Sequence, residues 1–204
     1  MKNTLDFKKD DSVLIIVDMQ NAFIDKNGSL PKMGLDASRV LNVIDPIKRL
    51  KTVFVTNKLP VIYIQHVHRK DGFDMGLIEK VFPPIFKLGH CIEETWDCEI
   101  IEELKPEPND IVVKKFRFSG FYKTPLENIL KSLGKETLVI CGIATNICVE
   151  STVRDAFYRD YNVFVPQETT ASYFESAEIA ALENFRFAFA RVLTIEELIE
   201  KVNA

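Results

Sequence analysis

Three residue types able to do acyl-transfer chemistry follow short apolar runs in this chain. Asp18 follows run 13–17 in VDMQNAF. Lys114 and Lys115 follow run 111–113 in VVKKFRFSGF. Cys148 ends the stretch CGIATNIC that follows run 137–140. A thiol supplies a nucleophile, a carboxylate can take its proton and later return it to a leaving amine, and a nearby lysine favours the ionised carboxylate. Singly, each residue has an ordinary use: Asp caps helices, Lys is solvated, and Cys fills small core spaces. Their joint placement after strands carries more weight. Cys148 falls at the expected start of a helix, where free N–H groups and the macrodipole lower a thiol pKa. Backbone N–H groups between Gly142 and Cys148 could form an oxyanion hole. Cys141 ends its apolar run and reads as a structural thiol.

The elements that must position these groups follow from the apolar pattern. Run 13–17 (VLIIV) is continuous, the mark of a strand buried on both faces. Runs 61–64, 111–113, 137–140 and 161–165 read the same way, and 192–193 as a short last strand. Between them, 40–50 has helical spacing at Val40, Val43, Ile44, Ile47 and Leu50. Thr124 and Pro125 open a helix with Glu127 three residues after the cap and a stripe of Leu126, Ile129, Leu130 and Leu133, ended by Gly134. Helices are also predicted over 147–158, over 176–187 with Ile179, Leu182, Phe185 and Phe187 buried, and after a Thr194 cap. Strands alternating with helices imply parallel pairing. The fold class is α/β: one three-layer, Rossmann-like domain over 1–204 with a mainly parallel six-stranded sheet. In such sheets ligands bind beyond the carboxyl ends of the strands, where all three groups fall.

Composition narrows the partners. The chain has 204 residues, 47% hydrophobic and 27% charged, so a full core is available. Its formal charge of −4 argues against nucleic acid. No apolar run approaches a membrane span, and the N-terminus MKNTLDFKKDD is charged where a secretory leader would be apolar. A cytoplasmic protein with a small-molecule substrate is expected. The four cysteines, at 91, 98, 141 and 148, contain no CxxC pair, and free thiols are expected. Segment 69–107 is a long excursion, either a substrate-facing loop or a helical piece packed on a second subunit.

VDMQNAF, KKFRFSGFYKTPLE and CGIATNICVESTVRDAFYRDY together resemble the isochorismatase-like cysteine hydrolases, a family that includes nicotinamidases, N-carbamoylsarcosine amidases and ureidoacrylate amidohydrolases. The resemblance runs from Ser12 to Val192. It implies an Asp–Lys–Cys triad at Asp18, Lys115 and Cys148. Lys115 is preferred over Lys114 on the family pattern Lys-x-Arg-x-Ser-Gly-Phe, and strand alternation allows only one of the two to face the site. It also implies a cis peptide Ile143–Ala144 that aims the Ala144 N–H, with that of Cys148, at the substrate oxygen. A homo-oligomer and the absence of a cofactor are expected on the same grounds.

Members that cleave the vinyl ether of isochorismate lack the thiol, so Cys148 points to amides. The stretches HVHRKDGFDMG, KPEPNDIVVKK and FSGFYKTPLE resemble the ureidoacrylate and carbamoyl-amidase branch. The expected activity is cleavage of a C–N bond in a small linear amide or ureido compound through a thioester. The nicotinamidase branch builds a metal site on Asp-x-His. Here that place reads His66-Val67-His68, so no metal is expected, with His66 and His68 the residues that could hold one. His90 is assigned a structural role. Phe23, Trp96 and Tyr122 are expected to line the substrate, and the departure at 166–172 (PQETTAS) falls on a substrate wall. The alternatives are a metal-assisted nicotinamidase-like amidase, a binding protein that keeps the fold without the chemistry, and a partner-binding module.

Overall fold

A computed structural model describes residues 5–204. The first four residues of the charged N-terminal stretch lie outside the described residues. The chain opens with β1 (Ser12–Val17), wholly buried, then three one-turn helices, α1 (Asn21–Ile24), α2 (Ser29–Lys32) and α3 (Ser38–Leu41). Helix α4 (Ile44–Thr56) leads to β2 (Val61–His66). The excursion holds α5 (Leu77–Val81) and two short 3-10 turns, and returns to β3 (Ile111–Lys115). Then follow α6 (Leu126–Ser132), β4 (Thr137–Ile143), α7 (Glu150–Phe157), β5 (Asn162–Pro166), the two-residue β6 (Thr170–Ala171), α8 (Glu175–Asn184), β7 (Arg191–Leu193) and α9 (Ile195–Asn203).

The strands form one parallel sheet in the order β3-β2-β1-β4-β5-β7. The expected six-stranded sheet is the main path; β6, paired with the end of β4, makes a seventh strand too short to show as an apolar run. Strand order reverses between β1 and β4, and this reversal is the crevice where parallel sheets bind ligands. Leu14 and Ile16 face one layer, built on Ile47, Leu50 and Phe54 of α4 and Leu198 and Val202 of α9. Val13, Ile15 and Val17 face the other, built on Leu126 and Leu130 of α6 and Val153 and Ala156 of α7. Burial on both faces explains why β1 is apolar throughout rather than alternating.

β4 and β1 meet closely at Val17 and Gly142, which are register partners. Gly142 has φ +111, and a Cβ there would overlap the Val17 carbonyl oxygen. A side chain at 142 would push apart the two strand ends that carry the site.

Several local expectations shift. α6 begins after Pro125, and the Thr124 hydroxyl accepts from the Leu126 N–H at 3.3 Å, while Glu127 pairs with Lys131 and Arg159 instead of closing a capping box. Leu133 is exposed. The helix predicted from 147 begins earlier, as a π turn (Thr145–Val149) that runs into α7. Ile179 and Phe187 are exposed rather than buried. The inner stripe of α8 is Glu178, Ala181, Leu182 and Phe185, and Glu178 spends its charge on Arg39 and the Ser172 N–H. Thr194 and Glu197 form a capping box on α9. No helix among the described residues is long and apolar enough to cross a membrane.

Candidate active site

Asp18 sits one residue beyond β1 with φ 52. A non-glycine residue in this left-handed region costs about 1 kcal/mol. It is held there from both sides: its N–H donates to Ile64 O (2.9 Å) and its carbonyl accepts from the Gln20 N–H (2.8 Å). Lys115 ends β3, two strands away. At ~4.8 Å per strand the gap is about 9.6 Å, which suits a long side chain. Lys115 is buried while Lys114 is exposed, as the alternation predicts.

The Lys115 ammonium has three N–H bonds and three acceptors. It donates to Asp18 Oδ2 (2.7 Å), His66 Nδ1 (3.3 Å) and Cys148 Sγ (3.5 Å). The sequence thus brings Asp18, Lys115 and Cys148 together at the crevice. The other Asp18 oxygen, Oδ1, is buried and has no hydrogen-bond partner of normal geometry.

Burial raises the Asp18 carboxyl above its ordinary range, with Lys115 and the Cys148 thiol pulling the other way. Burial would lower Lys115, but Asp18 and Cys148 outweigh it and hold the ammonium charged. Burial also drives the Cys148 thiol well up, and the Asp18 charge adds to this, against Lys115. This corrects the expectation of a thiol pKa lowered by the helix start. Cys148 is buried within a π-helical turn, and burial disfavours its anion. All four cysteines are free.

His66 extends the network. The ammonium can only donate, so His66 Nδ1 accepts and its proton sits on Nε2. His66 Nε2 lies 2.9 Å from His68 Nε2, which must then accept, leaving His68 Nδ1–H for Asp74 Oδ1 at 3.3 Å. The tautomers are fixed along the whole line by the charge at one end. Both rings are held neutral, their pKa values pushed down chiefly by burial. Donor atoms of Asp18, His66 and Cys148 lie within 4.8 Å of one another. The rings of His66, His68 and His90 gather with centroids 4.7 to 6.5 Å apart; both His66 nitrogens are hydrogen-bonded, and the Lys115 ammonium stands against one of them.

Gln20 ties three segments. Its amide nitrogen donates to His66 O (2.8 Å) and Cys98 O (2.7 Å), and its oxygen accepts from the His66 N–H (2.7 Å). The end of β1, the end of β2 and the excursion are joined at one buried side chain. A second clasp closes beside it. Asp97 accepts from the Ser29 N–H and hydroxyl and from the Cys91 N–H, all at 2.8 Å. Ser29 Oγ therefore accepts from His90 Nδ1 at 2.7 Å. His90, assigned a structural role, holds this clasp and also lines the cavity.

A cavity of about 240 Å³ opens over Cys148. Phe23, Ala144 and Cys148 line it, as expected, and the peptide Ile143–Ala144 is cis. Ser172, from the departing 166–172 segment, also lines it and donates to Asn146 Oδ1 at 2.7 Å. Two of the expected wall aromatics lie elsewhere. Tyr122 is 44% exposed and meets Phe116 edge-on, Trp96 is 46% exposed on the 3-10 turn Trp96–Cys98, and neither lines the cavity. The aromatics missed from sequence are Phe82, Phe118, Tyr173 and Phe174. The excursion supplies Ile78, Phe82, Ile85 and His90 to the cavity, so part of it faces the space over Cys148.

Comparison with known proteins agrees with this architecture. The isochorismatase domain model matches residues 12–197. The ureidoacrylate amidohydrolase RutB of Enterobacter sp. (strain 638) is 35% identical, over 97% of this chain and 91% of that protein. The crystal structure of a cysteine hydrolase from Pseudomonas syringae pv. phaseolicola 1448A superposes with a TM-score of 0.89 at 27% identity, covering 97% of this chain and 94% of that one. N-carbamoylsarcosine amidase from Thermoplasma acidophilum superposes with a TM-score of 0.71 at 28% identity, covering 90% and 96%.

Proposed function

The chain belongs to the isochorismatase-domain family and is a hydrolase of carbon–nitrogen bonds other than peptide bonds; from that premise we propose that it is a cysteine-dependent amidohydrolase of a small linear amide or ureido compound, working through a thioester. The observation that carries this reading is the ammonium of Lys115 lying between Asp18 Oδ2 and Cys148 Sγ beside a cavity that Cys148 lines.

In this scheme the buried Cys148 thiol starts protonated, and its proton passes to Asp18 as Sγ attacks the carbonyl carbon. Asp18 Oδ1, which has no other partner, is the receiving oxygen. The C–S bond forms and the carbonyl electron pair moves to oxygen, held by the Ala144 and Cys148 N–H groups. On collapse the C–N bond breaks, Asp18 gives its proton to nitrogen, and ammonia or an amine leaves. Water then attacks the thioester with Asp18 as base, the C–S bond breaks, and Asp18 reprotonates the sulfur. The net change is one amide and one water to one acid and one amine. Lys115 stays charged throughout and keeps the carboxylate a usable base in a dry site.

The test is ammonia release from a panel of amides and ureido compounds by wild type, Cys148→Ala and Asp18→Asn. Release that vanishes in both variants is expected. Full turnover by Cys148→Ala would refute the scheme.

A further inference from the structure

The cavity over Cys148 is apolar almost throughout, and none of its lining residues is a lysine or arginine. Its outer wall is Leu30, Met33, Ile78, Phe82, Ile85 and Phe118. All six pack on, or belong to, the small core that anchors the excursion, around Met75 and Ile92 from the same segment. The wall is therefore a fixed part of the fold. The polar side chains reaching the cavity, His66, His90, Asn146 and Ser172, are neutral donors and acceptors. Burial holds both histidines uncharged, His90 with its pKa pushed down to about 3.

The one cation at the cavity floor is not available to a ligand. All three Lys115 N–H bonds are committed, to Asp18, His66 and Cys148. Arg117 does not line the cavity, and its Nη1 donates to the carbonyls of Asp74 and Phe116 at 2.6 Å each. A carboxylate drawn into this space would lose its water and find no partner charge, which is heavily unfavourable. An alkyl or aryl group would gain from the same wall. The volume is just under the ~300–1,000 Å³ of drug-sized sites, so the ligand is small.

We propose that the substrate is an uncharged carboxamide or urea bearing an apolar group that packs on the Leu30–Phe82–Phe118 wall, and that anionic ureido and half-amide acids are poor substrates. This rests on the amidohydrolase reading and narrows it. It separates this chain from relatives named for ureidoacrylate, whose substrate carries a carboxylate by its own chemistry.

The experiment compares matched neutral and anionic pairs: hexanamide against adipamate (the half-amide of adipic acid), and butylurea against N-carbamoyl-β-alanine and ureidoacrylate. Ammonia release is followed for wild type and Cys148→Ala. The expected result is kcat/KM at least 100-fold higher for the neutral member of each pair, lost in Cys148→Ala. Equal or faster Cys148-dependent release from the anionic members would overturn the inference while leaving the amidohydrolase reading intact. Release from neither class, or release that ignores Cys148, would remove that reading and the inference with it. As a second measurement, Phe82→Arg puts a cation in the wall, with Met33→Arg as the substitute if Phe82→Arg does not fold. Either should cut the neutral-to-anionic ratio at least tenfold; an unchanged ratio in a folded variant overturns the assignment to this wall.

Discussion

The Nε2 atoms of His66 and His68 face each other at 2.9 Å, inside the ~3.3 Å that separates two imidazole nitrogens on a tetrahedral zinc. The pair is a hydrogen bond, and its direction is dictated by Lys115 on one side and Asp74 on the other. His68 is thus a positioning residue for the ammonium, acting through His66. His68→Phe removes the acceptor for His66 Nε2–H and leaves the tautomer unset. We expect kcat to fall about 100-fold with KM changed less than about twofold. His68→Gln, whose side-chain oxygen can accept the same proton, should recover much of the loss. Equal losses in both variants would reduce His68 to a packing role.

Because both His66 nitrogens are engaged and an ammonium stands against one of them, we expect turnover to survive dialysis against EDTA unchanged. Loss of activity to chelator, restored by zinc or iron, would contradict the network drawn here.

The protonated resting thiol has a kinetic signature. Iodoacetamide should alkylate Cys148 at pH 7.5 more slowly than a free cysteine of pKa ~8.5, with a rate still rising at pH 9. A rate already level below pH 7 would reveal a standing thiolate, and the proton transfer would then precede substrate binding.

His66 and His90 are buried neutral, so acid should work against the fold. Their folded pKa values lie below the unfolded value near 6.5, His90's at about 3. Their stabilising contribution is complete above pH ~6.5 and is lost as pH falls toward the folded values. Each can add a slope of up to about 1.4 kcal/mol per pH unit between pH ~6 and 4. Urea unfolding over this window should therefore steepen with acid, and His90→Gln should flatten the dependence by one proton. An unchanged slope in that variant would mean His90 titrates normally.

Two glycines with positive φ should differ in cost. Gly142→Ala must fit a Cβ against the Val17 carbonyl, and about 3 kcal/mol or more should be lost, with turnover falling as the strand ends separate. Gly134→Ala, at φ +61 after α6 with open space around it, should cost only about 1 kcal/mol. Denaturant titration of both variants decides it.

The strands were legible because a doubly covered parallel sheet forces continuous apolar runs, and 13–17 and 137–140 could hardly be anything else. Asp18 and the Lys114–Lys115 pair were legible because they follow such runs, whereas the choice of Lys115 rested on the family pattern and that of Cys148 on its place at a helix start. The wall was not. Aromatic residues report burial or contact of any kind, so Trp96 and Tyr122 looked as suitable as Phe23, while Phe82 and Phe118 gave no distinguishing signal. Gln20 carried no mark of its role, since its three partners come from β2 and the excursion. The thiol pKa failed for a different reason: helix-start position is visible in sequence, but the dryness that overrides it is not. Ile179 was misplaced because Glu178 takes the inner position beside it, and Phe187 because the helix passes into a π turn (Phe185–Phe189) that buries Phe185 and leaves Phe187 outside.

The reach of Lys115 across β2 has a consequence for how activity is lost. β3 is the edge strand, paired on one side only within the sheet order. Edge elements open with less free energy than the centre. Fraying of β3 by a few residues would withdraw the ammonium from Asp18 and Cys148 while β1, β4 and the core remain folded. Inactivation by denaturant should then have a lower midpoint than loss of secondary structure, and should reverse on dilution. The chain would be disarmed from its margin before it is unfolded from its middle.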